Sequence, residues 1–288
     1  MTNKIKILAD SSVQLTPEEI EKYNISIIPL SVELDGKQYV DGVDITRPEL
    51  VEALRKGIHP KTSQPPLGKF VEMYKQLTAD GSEVLAIMMG DFLSGTYKTA
   101  VSAANMVDGK VTVINSKSTD RGEAFQVLAA AKDIEAGKSM DEIKAHIQDV
   151  LDRTQIDVLV DNLDAMVAGG RINKVAGALT KFINLKVVVR VKRDGLSIYA
   201  KGRGRKVFLK HAKKIAAAHK DNQIQALSLS NVGTDGEFVK RIKELTLENN
   251  NDKNIPYLAM LTSPIIMTHT GLNAIGLITL AAKPEDKE

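Results

Sequence analysis

Val84-Leu85-Ala86-Ile87-Met88-Met89-Gly90-Asp91-Phe92-Leu93-Ser94-Gly95-Thr96-Tyr97 is the stretch on which the reading of the fold turns. An apolar run with the character of a buried strand stops at Gly90. The turn after it presents Ser94, Gly95 and Thr96, and Tyr97 through Met106 reads as a helix. Strand, short turn, helix is the repeating step of an α/β fold. The first N–H groups of such a helix have no partner within it, and the helix dipole adds positive potential at the same point. The turn therefore suits an anion, a phosphate or a carboxylate. Two other readings stay open: a plain Ser or Thr cap with no ligand, and a seryl nucleophile. The Gly-x-Ser-x-Gly elbow that exposes such nucleophiles is absent, because Phe92 stands two residues before Ser94.

The alternation extends outward from this stretch. Ile5–Ala9 is a short apolar run closed by Asp10-Ser11-Ser12. Thr16-Pro17-Glu18-Glu19 has the form of a capping box with proline in the first turn, and Thr46-Arg47-Pro48-Glu49 opens another helix. Ile25–Leu30 and Ser31–Leu34 read as strands, with Asp35-Gly36 as a tight turn before Lys37–Val40. Pro60 to Pro66 reads as a rigid loop, and Leu67–Leu77 as a helix. Beyond the opening stretch, Lys110–Asn115 is strand-like, Gly122–Ala136 is a long Ala-rich helix and Met140–Arg153 continues the pattern. This predicts a mostly parallel sheet with helices on both faces, an α/β/α sandwich. Ligands of such sheets sit at the carboxyl ends of strands, where Asp10-Ser11-Ser12 and Gly90–Thr96 both fall.

From about Gln155 the texture changes. Ile156–Val160 reads as a strand, Leu163–Ala168 as a short helix, and Gly169-Gly170-Arg171 as a break. Lys186–Val191 and Leu196–Tyr199 flank Arg193-Asp194-Gly195, a hairpin signal. Val207–His219 and Gly236–Glu248 carry helical patterns, and Ala226–Ser230, Tyr257–Leu261 and Ile265–Thr268 read as strands before a glycine-punctuated end. Two domains are expected, 1–154 and 155–288, the second of α+β type.

The chain has 288 residues, enough for two domains with substantial cores. Basic and acidic residues nearly cancel, 39 against 36, so the balance demands no polyanionic partner. Cysteine is absent, which excludes disulfides and thiolate zinc sites and fits a cytoplasmic location. No apolar run is long enough to span a bilayer and no signal region is seen.

Five histidines, His59, His146, His211, His219 and His269, make no metal-ligand spacing, and no metal is expected. His269 differs from the rest: it leaves the apolar run Ile265-Ile266-Met267 beside Gly271 and is placed to face a cleft. Lys201-Gly202-Arg203-Gly204-Arg205-Lys206, with Lys210, Lys213 and Lys214, is a local basic stretch. It lacks the interleaved aromatics of a nucleic-acid surface and better suits a phosphorylated ligand or an acidic partner. Gly169-Gly170-Arg171 reads either as a helix stop or as a close approach of backbone to a ligand.

Thr62-Ser63-Gln64-Pro65, Leu93-Ser94-Gly95-Thr96-Tyr97, Gly169-Gly170-Arg171-Ile172 and His269-x-Gly271, in that order, give the chain an end-to-end resemblance to the DegV family. These are fatty-acid-binding proteins that serve as the lipid-carrying subunit of bacterial fatty acid kinase. The resemblance implies two α/β domains with one long-chain fatty acid in a tunnel near their junction. By position, Thr62, Ser94 and His269 would bind its carboxylate, with Ser63, Gly95, Thr96, Gly170 and Arg171 around the head group. Arg203 matches a position associated with the kinase and phosphoryl transfer. The implied partners are the fatty acid and the kinase's catalytic subunit, with transient contact to a membrane or an acyltransferase and no nucleic acid.

The implied role is to present the carboxylate to a separate ATP-dependent kinase and carry the acyl phosphate, with no cofactor and no catalysis by the chain alone. No phosphate-binding Gly-x-x-x-x-Gly-Lys loop is present. The chain departs from the family pattern at Gly90-Asp91-Phe92, at Gly271-Leu272-Asn273 and at Val187, where proline is usual. A serine hydrolase using Ser94 and His269, and a nucleic-acid or regulatory module built on Arg203–Lys214, are the alternatives. Leu163, Met166, Val167, Ile172, Ile265 and Ile266 are candidates to line a tunnel or to fill ordinary core.

Overall fold

The computed structural model describes residues 4–172, 185–220 and 223–283. The chain divides into two compact units, Met1–Ile45 with Thr62–Asp152, and Thr46–Lys61 with Arg153–Glu288. A single cut at 154/155 would leave Thr46–Lys61 in the N-terminal domain; the structure groups that segment with the second unit.

In the first unit, β1 (Ile5–Asp10), α1 (Pro17–Lys22), β2 (Ser26–Ile28) and the hairpin β3 (Ser31–Leu34) and β4 (Lys37–Val40) come first. Helix α2 (Arg47–Arg55) belongs to the second unit. Then follow β5 (Lys61–Ser63), α3 (Leu67–Thr78), β6 (Glu83–Met88), α4 (Thr96–Ala104), β7 (Val111–Asn115), α5 (Asp120–Glu135) and α6 (Met140–Arg153). The main sheet runs β2-β1-β6-β7 with every pair parallel. Both faces are covered, which is why β6 is apolar at every position after Glu83. Ile7, Ala9, Leu85 and Ile87 pack under α5 and α6 through Ala124, Val127, Ala130, Ile143 and Ile147. Leu8, Val84, Ala86 and Met88 pack under α3 and α4 through Phe70, Tyr74, Ala100 and Ala103.

Helices α1 and α2 start as their sequences prescribe. Thr16 and Thr46 each cap the N3 amide, while Glu19 and Glu49 reach back to the cap residue's own N–H. The loop expected from Pro60 to Pro66 contains a short strand, β5, which joins β3 and β4 in a three-stranded sheet.

The second unit is built on a six-stranded sheet, β10-β9-β8-β13-β11-β12. Its strands are β8 (Thr154–Val160), β9 (Leu185–Lys192), β10 (Gly195–Arg203), β11 (Ile224–Asn231), β12 (Tyr257–Leu261) and β13 (Ile275–Ala281). All pairs are antiparallel except β11 with β12. Its helices are α7 (Asp164–Ala168), α8 (Lys206–Ala218), α9 (Gly236–Thr246) and α10 (Pro264–Thr270). One sheet face packs Leu159, Val188, Leu229 and Leu277 against Phe208 and Ile215 of α8 and Ile242 of α9. The other holds a smaller cluster of Val160, Val187 and Val189 with Leu163 and Met166.

Two further segments differ from what the sequence predicts. Residues 265–268 are not a strand but the body of α10, which Ser263 caps by accepting from the Ile266 N–H and Pro264 starts at the first turn. The glycine-punctuated end contains β13, which lies between β8 and β11 in the sheet.

Candidate functional site

β1 and β6 run parallel, so Asp10 and Met88 end at the same edge of the sheet. The Ser94 turn grows from that edge. The Gly90 carbonyl accepts from the Leu93 and Ser94 amides at 2.9 and 3.4 Å, and the Gly90 amide donates to the Ser118 carbonyl at 2.8 Å. Ser94 Oγ lies 2.9 Å from Thr96 Oγ1 and accepts from the Thr96 amide at 3.3 Å. Ser94 thus occupies one helix-start donor itself. By helix geometry the Tyr97 and Lys98 amides have no acceptor inside α4. Gly95 precedes the helix in αR conformation and gives no side-chain cap.

Gln64, to which the sequence alone assigns no role, lies over this turn. Its Nε2 donates to Thr99 Oγ1 at 2.6 Å, and its Oε1 occupies the space that a Cβ at position 95 would need. Only glycine fits there while Gln64 holds its place. Thr62 is half-buried on β5, and Ser63 is exposed beside it. Within the turn the Ser94 hydroxyl is engaged with Thr96.

His269, Gly169, Gly170 and Arg171 meet in the second unit. Helix α7 ends with Gly170 at φ 68°, the Arg171 amide donating to the Met166 carbonyl at 3.2 Å and the Gly170 amide to the Val167 carbonyl at 3.0 Å. That is a Schellman ending, with glycine at the left-handed position. Gly169 has a different reason to be glycine: the His269 ring takes the space of its Cβ. Arg171 donates from Nη1 to the Gly169 carbonyl at 2.6 Å. Burial, and secondarily the Arg171 charge, hold the His269 pKa down to about 4. Near neutral pH the ring is uncharged and offers one N–H, the complement of a carboxylate that arrives with its own negative charge.

Val160, Leu163, Met166, Val187 and Val189 cluster close to α7, with Ile172 packed against them. Ile265 is buried and Ile266 half-buried, while Val167 is exposed. Residues 173–184 lie outside the described residues, and no acyl tunnel is outlined by the rest. A cavity of about 530 Å³ shares Ala165 and Gly271 with the surroundings of His269, and its wall carries Asp161, Asp164 and Lys186. Leu54, Ile58, Leu185 and Leu272 line it as well, so its wall mixes charged and apolar groups.

Arg203 is exposed at the end of β10. Arg205 is tied down, its Nε donating to Asp161 Oδ1 at 3.0 Å. The buried Asp157 ties β8, β9 and α8 together. It receives Arg190 Nε at 2.7 Å and Nη2 at 2.9 Å, and its Oδ2 is 2.9 Å from His211 Nε2. The Arg190 guanidinium also stacks on Tyr199, 3.8 Å from the ring centroid. Among the described residues no group of three or more histidines and acids could hold a metal, and no helix is long and apolar enough to cross a membrane.

The two-unit α/β fold has known counterparts. The family model described as "Uncharacterised protein, DegV family" matches residues 4–282. A DegV domain-containing protein from Streptococcus pneumoniae is 37% identical over 276 residues, 96% of this chain and 98% of the relative. One from Listeria innocua is 36% identical over 279 residues, 96% of this chain and 98% of the relative. A stearic-acid-binding protein from Eubacterium ventriosum has a similar structure, with TM-score 0.83 and 28% identity, covering 96% of this chain and 98% of that one. A DegV-family protein from Thermus thermophilus, whose structure is described for its fatty acid binding, gives TM-score 0.85 at 25% identity over 97% of this chain and 100% of its own. The chain belongs to the DegV family.

Proposed function

We propose that this protein binds one long-chain fatty acid, with Ser94, Thr62 and His269 donating hydrogen bonds to the carboxylate. The observation that carries the reading is the end-to-end structural likeness to a stearic-acid-binding protein at 28% identity. The local chemistry supports it: hydroxyls and a neutral imidazole donate, and Arg171 adds positive charge beside His269. Burying a carboxylate is costly unless it is paired in this way. The tail supplies the affinity, at ~0.8 kcal/mol for each buried methylene. Such a carrier competes with a membrane, where a single acyl chain binds only marginally.

In this proposal the protein acts in the cytoplasm as a carrier, not as a catalyst on its own. It presents the carboxylate to a separate ATP-dependent fatty acid kinase, with Arg203 at the phosphoryl-transfer face, and holds the acyl phosphate. Solvent extraction of the purified protein with mass spectrometry of the extract, followed by titration of delipidated protein with stearate, tests the binding. Delipidated protein that takes up no fatty acid overturns it. Phosphoryl transfer from ATP to the bound acid, assayed with the kinase's catalytic subunit and an Arg203→Ala variant, tests the rest.

A further inference from the structure

Asp10 closes β1 and its side chain is completely buried. Oδ1 accepts from the Ser12 amide at 2.9 Å, the ordinary bond of an aspartate turning the chain after a strand. Oδ2 does something that such a turn does not need. It accepts from the Met89 amide at 2.7 Å, on the residue that leaves the neighbouring strand β6. Met89 precedes Gly90, whose carbonyl holds the Leu93 and Ser94 amides and whose amide is held by Ser118. One carboxyl therefore fixes the point from which the Ser94 turn departs.

Asp10 is itself backed by a second buried acid. Glu123, on the first turn of α5, is completely buried, and its Oε2 lies 3.5 Å from Ser12 Oγ. Ser12 Oγ in turn accepts from Thr119 Oγ1 at 3.1 Å. Among the described residues no cation is paired with either acid. Two unpaired buried acids are costly in a sheet that could have ended on apolar residues. Fixed aim at a neighbouring functional turn gives that cost a purpose.

We infer that Asp10 is the positioning residue of the Ser94 turn, setting through Met89 and Gly90 the direction in which Ser94 and the start of α4 face an anionic head group, with the Ser12 amide holding Asp10 in place. The inference rests on the reading of Ser94 as a carboxylate-binding group. Asparagine at position 10 keeps the shape but can accept from only one of the two amides on its oxygen, and its NH₂ opposes the other.

The test compares stearate with stearyl alcohol, which has the same tail and no carboxylate, on delipidated full-length protein. Asp10→Asn is expected to lower affinity for stearate by about tenfold and to leave the alcohol unchanged, because a misdirected Ser94 turn weakens the bonds to the carboxylate and does not touch the tail. Equal losses for both ligands, or none, overturn the positioning role, since a purely structural aspartate would not distinguish them. Ser94→Ala is measured alongside: if it keeps the preference for stearate, the head-group reading of Ser94 fails, whatever Asp10→Asn does. Should Asp10→Asn fail to fold, amide resonances of the unmodified protein decide. Adding stearate is expected to shift Met89 and Gly90 together with Ser94, and a shift at Ser94 with Met89 and Gly90 unmoved overturns the coupling.

Discussion

The imidazole of His269 lies where a side chain on residue 169 would have to begin. Gly169 and His269 stand on different helices, α7 and α10, so the missing side chain of one makes room for the ring of the other. Gly169→Ala should displace the ring while leaving the α7 ending intact, because Gly170 supplies the left-handed turn. Overpacking predicts a stability loss of ~1–3 kcal/mol. Stearate affinity should fall, and the His269 ring resonances should move. Unmoved resonances would show that α7 yields instead of the ring.

Protonation of His269 should couple to the stability of the second unit. Its folded pKa, about 4, lies below the ordinary 6.5. The folded state therefore favours the neutral ring. The stabilisation is complete above pH 6.5 and is lost as the pH falls through about 4. Urea unfolding between pH 7 and 4 should show this slope in the native protein, and His269→Gln should flatten it.

Ser94→Ala and Thr62→Ala should each weaken stearate binding by ~1–2 kcal/mol. If both hydroxyls serve one carboxylate, the double variant loses less than the sum, and the calorimetric cycle measures the coupling.

Glu123 makes the opposite kind of prediction. Burial first, and the nearby Asp10 charge second, push its carboxyl well above 4.5. Its contribution is complete below pH 4.5 and is lost as the pH rises through the folded pKa. Glu123→Gln imitates the neutral acid and should raise the urea midpoint on the alkaline side while changing little at low pH. A variant less stable than the parent at every pH would show that the ionised form is the one the fold requires.

Asp157→Ala should be the most damaging of these changes. It leaves Arg190 and the buried His211 without their shared partner. Breaking one side of a buried charged network costs ~3–5 kcal/mol. Thermal unfolding measures it, and a drop of only a few degrees would mean that water replaces the carboxylate.

The first unit was legible because local signals and tertiary packing agree. Thr16 with Glu19 and the apolar run after Glu83 each say what the fold then does. The second unit hid more. Gly276 interrupts Ile275-Gly-Leu277-Ile278, so a strand buried at the middle of a sheet looks like a loose end. Ile265 and Ile266 are β-branched, and their strand character masks the Ser263-Pro264 helix start that decides α10. At the site, the hydroxyl turn announces itself in one short segment. The fit between Gly169 and His269 joins residues far apart in the chain, and the role of Gln64 over Gly95 depends on side-chain placement that no local pattern carries.

The order of strands in the second unit also governs when it can exist during biosynthesis. Thr46–Lys61 leaves the ribosome early, yet the unit it belongs to begins again only at Arg153. Strand β13 is the last described strand to emerge, and it must enter between β8 and β11. Until it does, two half-sheets wait with open edges, and α2 waits for the α10 surface it packs on. The parallel unit can fold before the other is fully synthesised, whereas the second stays open to chaperones until its central strand is threaded home.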